Sequence, residues 1–375
     1  MNFEFCISVR GFAKTWLIVL LLVATVGFFI WSLMLALSVA TPQPPRPNAP
    51  LSPGSPQYVG SQGESPGQFQ QPRGITSFPD GSFVVVDRAA RVQHFSSDGK
   101  PLGLWSMKDH KLGNPKGLCA LPDGNLLVCD THYGRVLVMS VDGKIVKQWG
   151  GLGKGPSEFV HPMSAACDAA RGFVYVVEYG DQNDRVQKFK LDGTHIKSFG
   201  TFGTQPGQFQ RPSGIAIDAD GNLYIADAAN HRIQKFDHEG QLLHVFGQMG
   251  REPGQLRYPY DIACSPDGLL YVAEFNNHRV SVFERSGAFV RIIGGRGGPG
   301  VTDITGEEDE VPMTASSTLP DIQFANPWSL AVDAKGRLLV SDTGNHRVQI
   351  FALPNSIAPA PLQNAQINEV VPDRK

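Results

Sequence analysis

Six acidic residues recur along this 375-residue chain, and each is followed within a few positions by an arginine. The carboxylates are Asp87, Asp130, Glu178, Asp227, Glu274 and Asp342; the arginines are Arg91, Arg135, Arg185, Arg232, Arg279 and Arg347. Charge pairs of this kind can shift pKa values and so serve acid–base chemistry. Repetition argues against that use: functional sites sit on a scaffold, whereas this pair is copied with every unit of it. Its expected role is to fix the turn in which it lies. His231, His278 and His346 recur in the same way and read as parts of the repeat, not as ligands.

The positions that differ between units are more informative. Every unit opens on a proline, at Pro72, Pro115, Pro162, Pro212, Pro259 and Pro327. The residues directly after them are Arg73, Lys116, Met163, Ser213, Tyr260 and Trp328. Two cations beside two aromatic rings and a thioether suit an anionic or aromatic ligand, provided the fold gathers them. The alternative is that they plug a channel. Patterns for other chemistries are missing: there is no nucleophile elbow, no His-Glu-x-x-His and no phosphate loop. No cofactor or metal is implied.

The elements that must position these residues are short strands. The opening prolines are 43, 47, 50, 47 and 68 residues apart, a spacing that belongs to solenoids, propellers or arrays. In the fourth unit, GIAID, NLYIAD, RIQKF and LLHVFG are apolar runs separated by Asp220-Gly221 and Glu239-Gly240 turn signals. None is long or periodic enough for a helix. Runs such as FVYVVE, at 173–178, are almost continuously apolar, as in a sheet covered on both faces. Four strands per unit and six units predict an all-β fold, a six-bladed β-propeller. The sixth unit lacks an outer strand, and residues 57–60 occupy the position where one would be supplied. They are expected to close the ring and remove exposed sheet edges.

NHRIQKF at 230–236, NHRVSVF at 277–283 and NHRVQIF at 345–351 resemble the signature of NHL repeats, as do PGQFQRPSGIAID at 206–218 and PGQFQQPRGI at 66–75. The resemblance spans roughly residues 57–351. The first and third units depart from it most, with Ala89-Ala90 and Gln182-Asn183-Asp184 in place of the Asn-His pair, which implies two looser loops. Amidating lyases are six-bladed propellers similar to this family, and the resemblance would place zinc-binding histidines just after several opening prolines. None of the six positions here is His, and His161 precedes Pro162 instead. A catalytic zinc needs about three protein ligands and an open position. Some NHL propellers bind RNA through a basic face. Here Arg73, Lys116, Arg211 and Arg257 are opposed by the acidic run from Asp303 to Glu310, and the net charge is −2. Nucleic acid is therefore not the expected partner.

Outside the repeats, Thr15–Ala40 is 26 residues long, apolar and free of charge, more than the ~20 needed to span a bilayer. Arg10 and Lys14 precede it, and no charge follows until Arg46, which places the N-terminus in the cytoplasm and the propeller outside. Ser38-Val39-Ala40 would also suit signal-peptide cleavage; both readings export the propeller. The expected organisation is a cytoplasmic segment (1–14), a signal-anchor helix (15–40), a Pro-rich spacer (41–56), the propeller (57–352) and a disordered tail (353–375). The long last spacing holds an insertion, 294–320, with a Gly-rich start and five clustered carboxylates. A lid, a docking loop, a weak Ca²⁺ site or a solvated loop would each fit it. Cys6 precedes the anchor, while Cys119, Cys129, Cys167 and Cys264 fall in strands and are expected as buried thiols, a 119–129 bridge being the alternative.

The reading is thus a membrane-anchored, extracytoplasmic propeller that binds an unknown protein or small-molecule ligand at its channel face. An exported propeller enzyme, a lyase or hydrolase, is the alternative. Protease added to intact cells or spheroplasts is expected to cut the 41–56 spacer while residues 1–14 stay protected; a protected propeller would contradict the export.

Overall fold

Each repeat becomes one antiparallel four-stranded sheet because its apolar runs are only four to eight residues long and end at Gly-containing turns. The computed structural model describes residues 56–107, 111–296 and 322–353. Blades 1 to 5 each take their four strands in chain order. In blade 4 these are Pro212–Ile217, Leu223–Asp227, Arg232–Phe236 and Leu242–Phe246, from the channel outward. Blade 6 contains Pro327–Val332, Arg337–Asp342 and Arg347–Ala352, and its outer strand is Gln57–Val59. Tyr58 pairs with Gln349 and Val59 with Val348, so the first and last strands of the repeat region close the ring as expected. The expected anchor, most of the spacer and tail, and the insertion from residue 297 lie outside the described residues. Among the described residues no helix is long and apolar enough to cross a membrane.

Burial follows the layer order. Second strands such as Phe83–Asp87, Leu126–Asp130 and Leu223–Asp227 are buried at every position, whereas outer strands such as Pro101–Ser106 and Ile145–Gly150 are largely exposed. Both faces of a blade pack on neighbours. Val84 and Val86 of blade 1 join Leu126 and Val128 of blade 2, and Leu339 and Val348 of blade 6 join Ile75 and Val85 of blade 1. Apolar contact of this kind holds sheets together but is non-directional. It does not fix their mutual orientation.

Orientation comes from the recurrent charge pair. In blade 4, Asp227 accepts hydrogen bonds from Arg232 Nε (2.8 Å), Asn230 (2.8 Å) and Gln234 (3.0 Å), and from the backbone N–H of Gln210 (2.7 Å). Arg232 then donates to the carbonyls of Thr204 (2.7 Å), Gln205 (2.9 Å) and Gln208 (2.8 Å) in the loop arriving from blade 3. The same arrangement recurs at Glu178–Arg185, Glu274–Arg279 and Asp342–Arg347. Desolvation pushes the Glu178 and Asp227 carboxyls up, and the hydrogen bonds from Arg185 and Arg232 are among those that pull them back. The pair therefore does more than fix its turn: it pins the connection from the preceding blade.

The repeat histidine forms a second link. Each lies in the left-handed region, at φ 55° for His231, 52° for His278 and 52° for His346. Its Nδ1 accepts the N–H of the residue before the next opening proline: Tyr258 (3.0 Å), Asn326 (3.0 Å) and, across the ring closure, Gln71 (3.1 Å). Blade 3 lacks the histidine, and Asp184 accepts the Arg211 N–H instead, at 2.5 Å. That loop is tied down by a different acceptor.

Cys119 and Cys129 are buried free thiols, with Cys119 opposite Leu127 and Cys129 opposite Gly117 in the ladder. Burial pushes both thiols well up. Two stability measurements follow. Asp227→Ala leaves Arg232 without its buried partner and is expected to cost about 3–5 kcal/mol. Deleting residues 56–60 removes the closing strand and is expected to lower the melting temperature far more than Tyr58→Ala, which keeps that strand's backbone. Equal effects of deletion and point substitution in thermal unfolding would contradict the closure.

Candidate functional site

The inner strands begin irregularly. The ladder to the second strand shifts register between Pro72 and Ile75, Pro162 and Ser164, Pro212 and Ile215, Pro259 and Asp261, and Pro327 and Leu330. Such irregularities free a residue from pairing and re-aim its side chain. In each of these five blades the freed position includes the residue after the opening proline, whereas in blade 2 Lys116 precedes a ladder without a shift. Glycines let the strands converge there: a Cβ at Gly74 would lie 2.3 Å from the Lys116 carbonyl oxygen, and one at Gly117 would lie 2.2 Å from that of Met163. Adjacent inner strands thus meet at van der Waals distance near the axis.

The cavity so enclosed is about 330 Å³, and Lys116, Met163, Ser213, Tyr260 and Trp328 all line it. Arg73 lies beside it, its guanidinium carbon 4.8 Å from the centre of the Trp328 ring. The fold therefore gathers residues that the sequence spreads over 255 positions, the difference between 328 and 73. Met163, Ser213 and Tyr260 are buried, and Lys116 is only 9 % exposed.

Three neighbours were not singled out from sequence as part of this set. Arg211 sits before Pro212 at φ 53°, with its guanidinium carbon 5.5 Å from the Tyr179 ring centre and 5.7 Å from that of Tyr260. Tyr179 ends the second strand of blade 3, and Lys116 Nζ stands 3.5 Å from its hydroxyl. Phe275 packs on Tyr260 at 4.6 Å and on Trp328 at 5.5 Å between ring centres. The signal for Arg211 was available one position upstream, where Gln71, Asn114, His161, Arg211, Tyr258 and Asn326 also differ between units. Tyr179 and Phe275 lie next to the recurrent carboxylates Glu178 and Glu274, and only blade geometry brings them to the rim.

Lys116, Arg73 and Arg211 make no ion pair with a described residue. Burial first, then repulsion by Arg73 and Arg211, pushes the Lys116 ammonium down to about 8. Burial, then Arg88, also lowers Arg73. His132 and His161 pack edge to face, 5.7 Å apart, and His161 stacks on Tyr179 at 5.2 Å. Both are held below the usual imidazole range, by burial first and then by Lys116.

Asp261, one residue past Tyr260, supplies the cavity's carboxylate. It accepts from Ser329 Oγ (2.6 Å), Leu330 N–H (3.0 Å) and Ile262 N–H (2.9 Å). Burial raises it to about 6, and only those three hydrogen bonds oppose the rise. A Cβ at Gly214 would approach Asp261 Oδ1 to 2.4 Å, so the glycine makes room for the carboxylate. Ser329 Oγ also accepts the Ile75 N–H at 3.3 Å, which links blades 5, 6 and 1 through groups their inner edges would otherwise leave unpaired. Among the described residues, no three His, Cys, Asp or Glu side chains are placed to hold a metal ion.

Residues 209–236, 256–283 and 324–351 match the family model of the NHL repeat; the chain carries these repeats in blades 4, 5 and 6 of a six-bladed propeller. No curated protein sequence matches it. A protein of unknown function from Bacteroides thetaiotaomicron superposes with a TM-score of 0.58 at 17 % identity, over 79 % of this chain and 74 % of its own. Regucalcin from Agrobacterium tumefaciens, a calcium-binding protein, gives 0.54 at 11 %, over 79 % and 95 %. A streptogramin B lyase gives 0.53 at 15 %, over 80 % and 97 %. These likenesses are of fold.

A buried lysine held near 8 in the folded chain and 10.5 in the unfolded chain destabilises the fold at neutral pH, because the unfolded chain holds the proton more tightly. The penalty is complete below pH 8 and is relieved as pH rises from 8 to 10.5. Lys116→Met is expected to stabilise the protein by about 3 kcal/mol at pH 7, at 1.36 kcal/mol per tenfold. The gain should vanish by about pH 10.5 in denaturant titrations. A destabilised variant at pH 7 would contradict the cationic environment.

Proposed function

We propose that this chain is a membrane-anchored, extracytoplasmic propeller that acts as a binding module, with its ligand or partner engaged at the channel mouth. One observation carries the proposal: the six residues that vary from blade to blade gather around a single cavity, while the invariant charged residues are consumed by the scaffold. Cations and rings occupy that mouth, and the cavity's carboxylate, Asp261, is bound by Ser329 and two backbone N–H groups instead of by a cation, a composition suited to holding a ligand by charge and stacking. The apolar Thr15–Ala40 segment, flanked by Arg10 and Lys14, supports export and tethering. The enzymatic alternative has less support. The two facing imidazoles, His132 and His161, pack on each other and on Tyr179, and the likeness to the lyase is one of fold.

Arg73→Ala and Trp328→Phe test the reading. Purified parent and variant chains would be incubated with the extracytoplasmic fraction of the source cells, and retained molecules identified by mass spectrometry. The parent is expected to retain a component that both variants lose, with melting temperatures within a few degrees of the parent's. Large losses of stability with identical retained material would make these residues a channel plug.

A further inference from the structure

We propose that the channel mouth is an oxyanion site, in which Arg73, Lys116 and Arg211 together hold a carboxylate or phosphate monoester group of the ligand. This rests on the binding-module reading and names the chemistry of its ligand. Three cations from blades 1, 2 and 4 converge on one set of rings. Lys116 Nζ and the Arg211 guanidinium lie 5.8 and 5.5 Å from the centre of Tyr179. Arg211 also reaches Tyr260, which packs 4.8 Å from Trp328, the ring beneath Arg73. Neither guanidinium donates a hydrogen bond to a described protein group, and the Nε atoms of both are buried.

The carboxylates near them are already engaged. Asp87 binds Arg91 and the Gln70 N–H, and Asp184 accepts the N–H groups of Gly180 and Arg211. Asp261 is bound by Ser329 and two backbone N–H groups, and none of the three cations offsets its burial. The charged and titratable groups facing Lys116 are Arg73, Arg211, Tyr179, His132 and His161, none of them a carboxylate. Unpaired cations in a desolvated site are costly unless an anion joins them. Arginine's planar fork suits both carboxylate and phosphate oxygens, and an ammonium between two forks adds a point charge. The Tyr and Trp rings limit water around that charge and strengthen its attraction.

Isothermal titration of the full chain with sodium sulfate, as a phosphate-monoester surrogate, and with sodium acetate tests this directly. Neither probe changes protonation near pH 8, so proton uptake reports on the protein. At least one probe is expected to bind with uptake of up to about half a proton at pH 8, shrinking towards pH 6.5 where Lys116 is already charged. Lys116→Met should abolish the uptake, and Arg73→Met and Arg211→Met, which keep side-chain volume, should each weaken binding at least tenfold. Preference for sulfate would assign the phosphate monoester, and preference for acetate the carboxylate. Binding unchanged in all three variants would overturn the proposal. Binding of a neutral ring probe, benzyl alcohol, lost in Trp328→Phe while neither anion binds, would overturn the oxyanion and leave the binding module standing. No response to any of the three probes would overturn the oxyanion, and the Arg73 and Trp328 retention experiment would then decide whether the binding module falls with it. Tight binding confined to a single-stranded RNA oligomer, with a salt dependence of several phosphates, would also overturn it in favour of a polyanion track.

Discussion

The buried carboxylate at the end of each second strand, with its arginine, is the interaction on which the ring depends. Apolar packing between blades supplies cohesion, but sheets covered on both faces can slide and rotate at little cost. The carboxylate removes that freedom, because one oxygen pair serves the turn, the third strand and the loop arriving from the previous blade. Burying such a group is costly in isolation, and the cost is offset only when its hydrogen-bonding capacity is filled. Filling it requires the preceding blade to be in place. Each unit is therefore completed by its neighbour, and the sequence-distant pairing of Gln57–Val59 with Arg347–Ala352 completes the last.

This division of labour explains the character of the mouth. The repeated carboxylates are spent inside the scaffold, and the repeated histidines are spent on the N–H groups that precede the opening prolines. Those two links hold the inner strands close enough for residues from all six blades to line one cavity. What remains at the rim is set by the positions the repeat leaves free, and in blades 1, 2 and 4 these are cations. The rings of blades 3, 5 and 6 lie between them. The cavity wall is polar as well, since each inner strand presents an unpaired edge, partly satisfied by Ser329, Asp261 and Thr76.

Repetition made much of this legible in the sequence. Prolines at regular intervals marked the inner strands, Gly turns marked the hairpins, and the orphan segment at 57–60 announced the closure. The gathering of Arg73 to Trp328 followed from blade number and strand order alone. Blade 3 was harder, because Asp184 replaces the histidine's acceptor with a different side chain at a shifted position, and a pattern search sees only the loss. Asp261 was hidden for a similar reason: it stands where blades 1, 2 and 4 have glycine, and two of its three partners, Ser329 and Leu330, come from the next blade. Arg211, Tyr179 and Phe275 reach the rim through backbone geometry that no spacing rule encodes. The expected membrane anchor and the acidic run of the insertion rest on sequence patterning, outside the described residues.

The most direct measurement of the central claim, that the scaffold leaves an uncompensated cationic mouth, is anomalous diffraction from propeller crystals soaked in bromide or selenate. The expected result is an anomalous peak within hydrogen-bonding distance of Lys116 Nζ and at least one of the Arg73 and Arg211 guanidinium groups. Peaks confined to surface lysines and arginines, with none at the mouth, would contradict it.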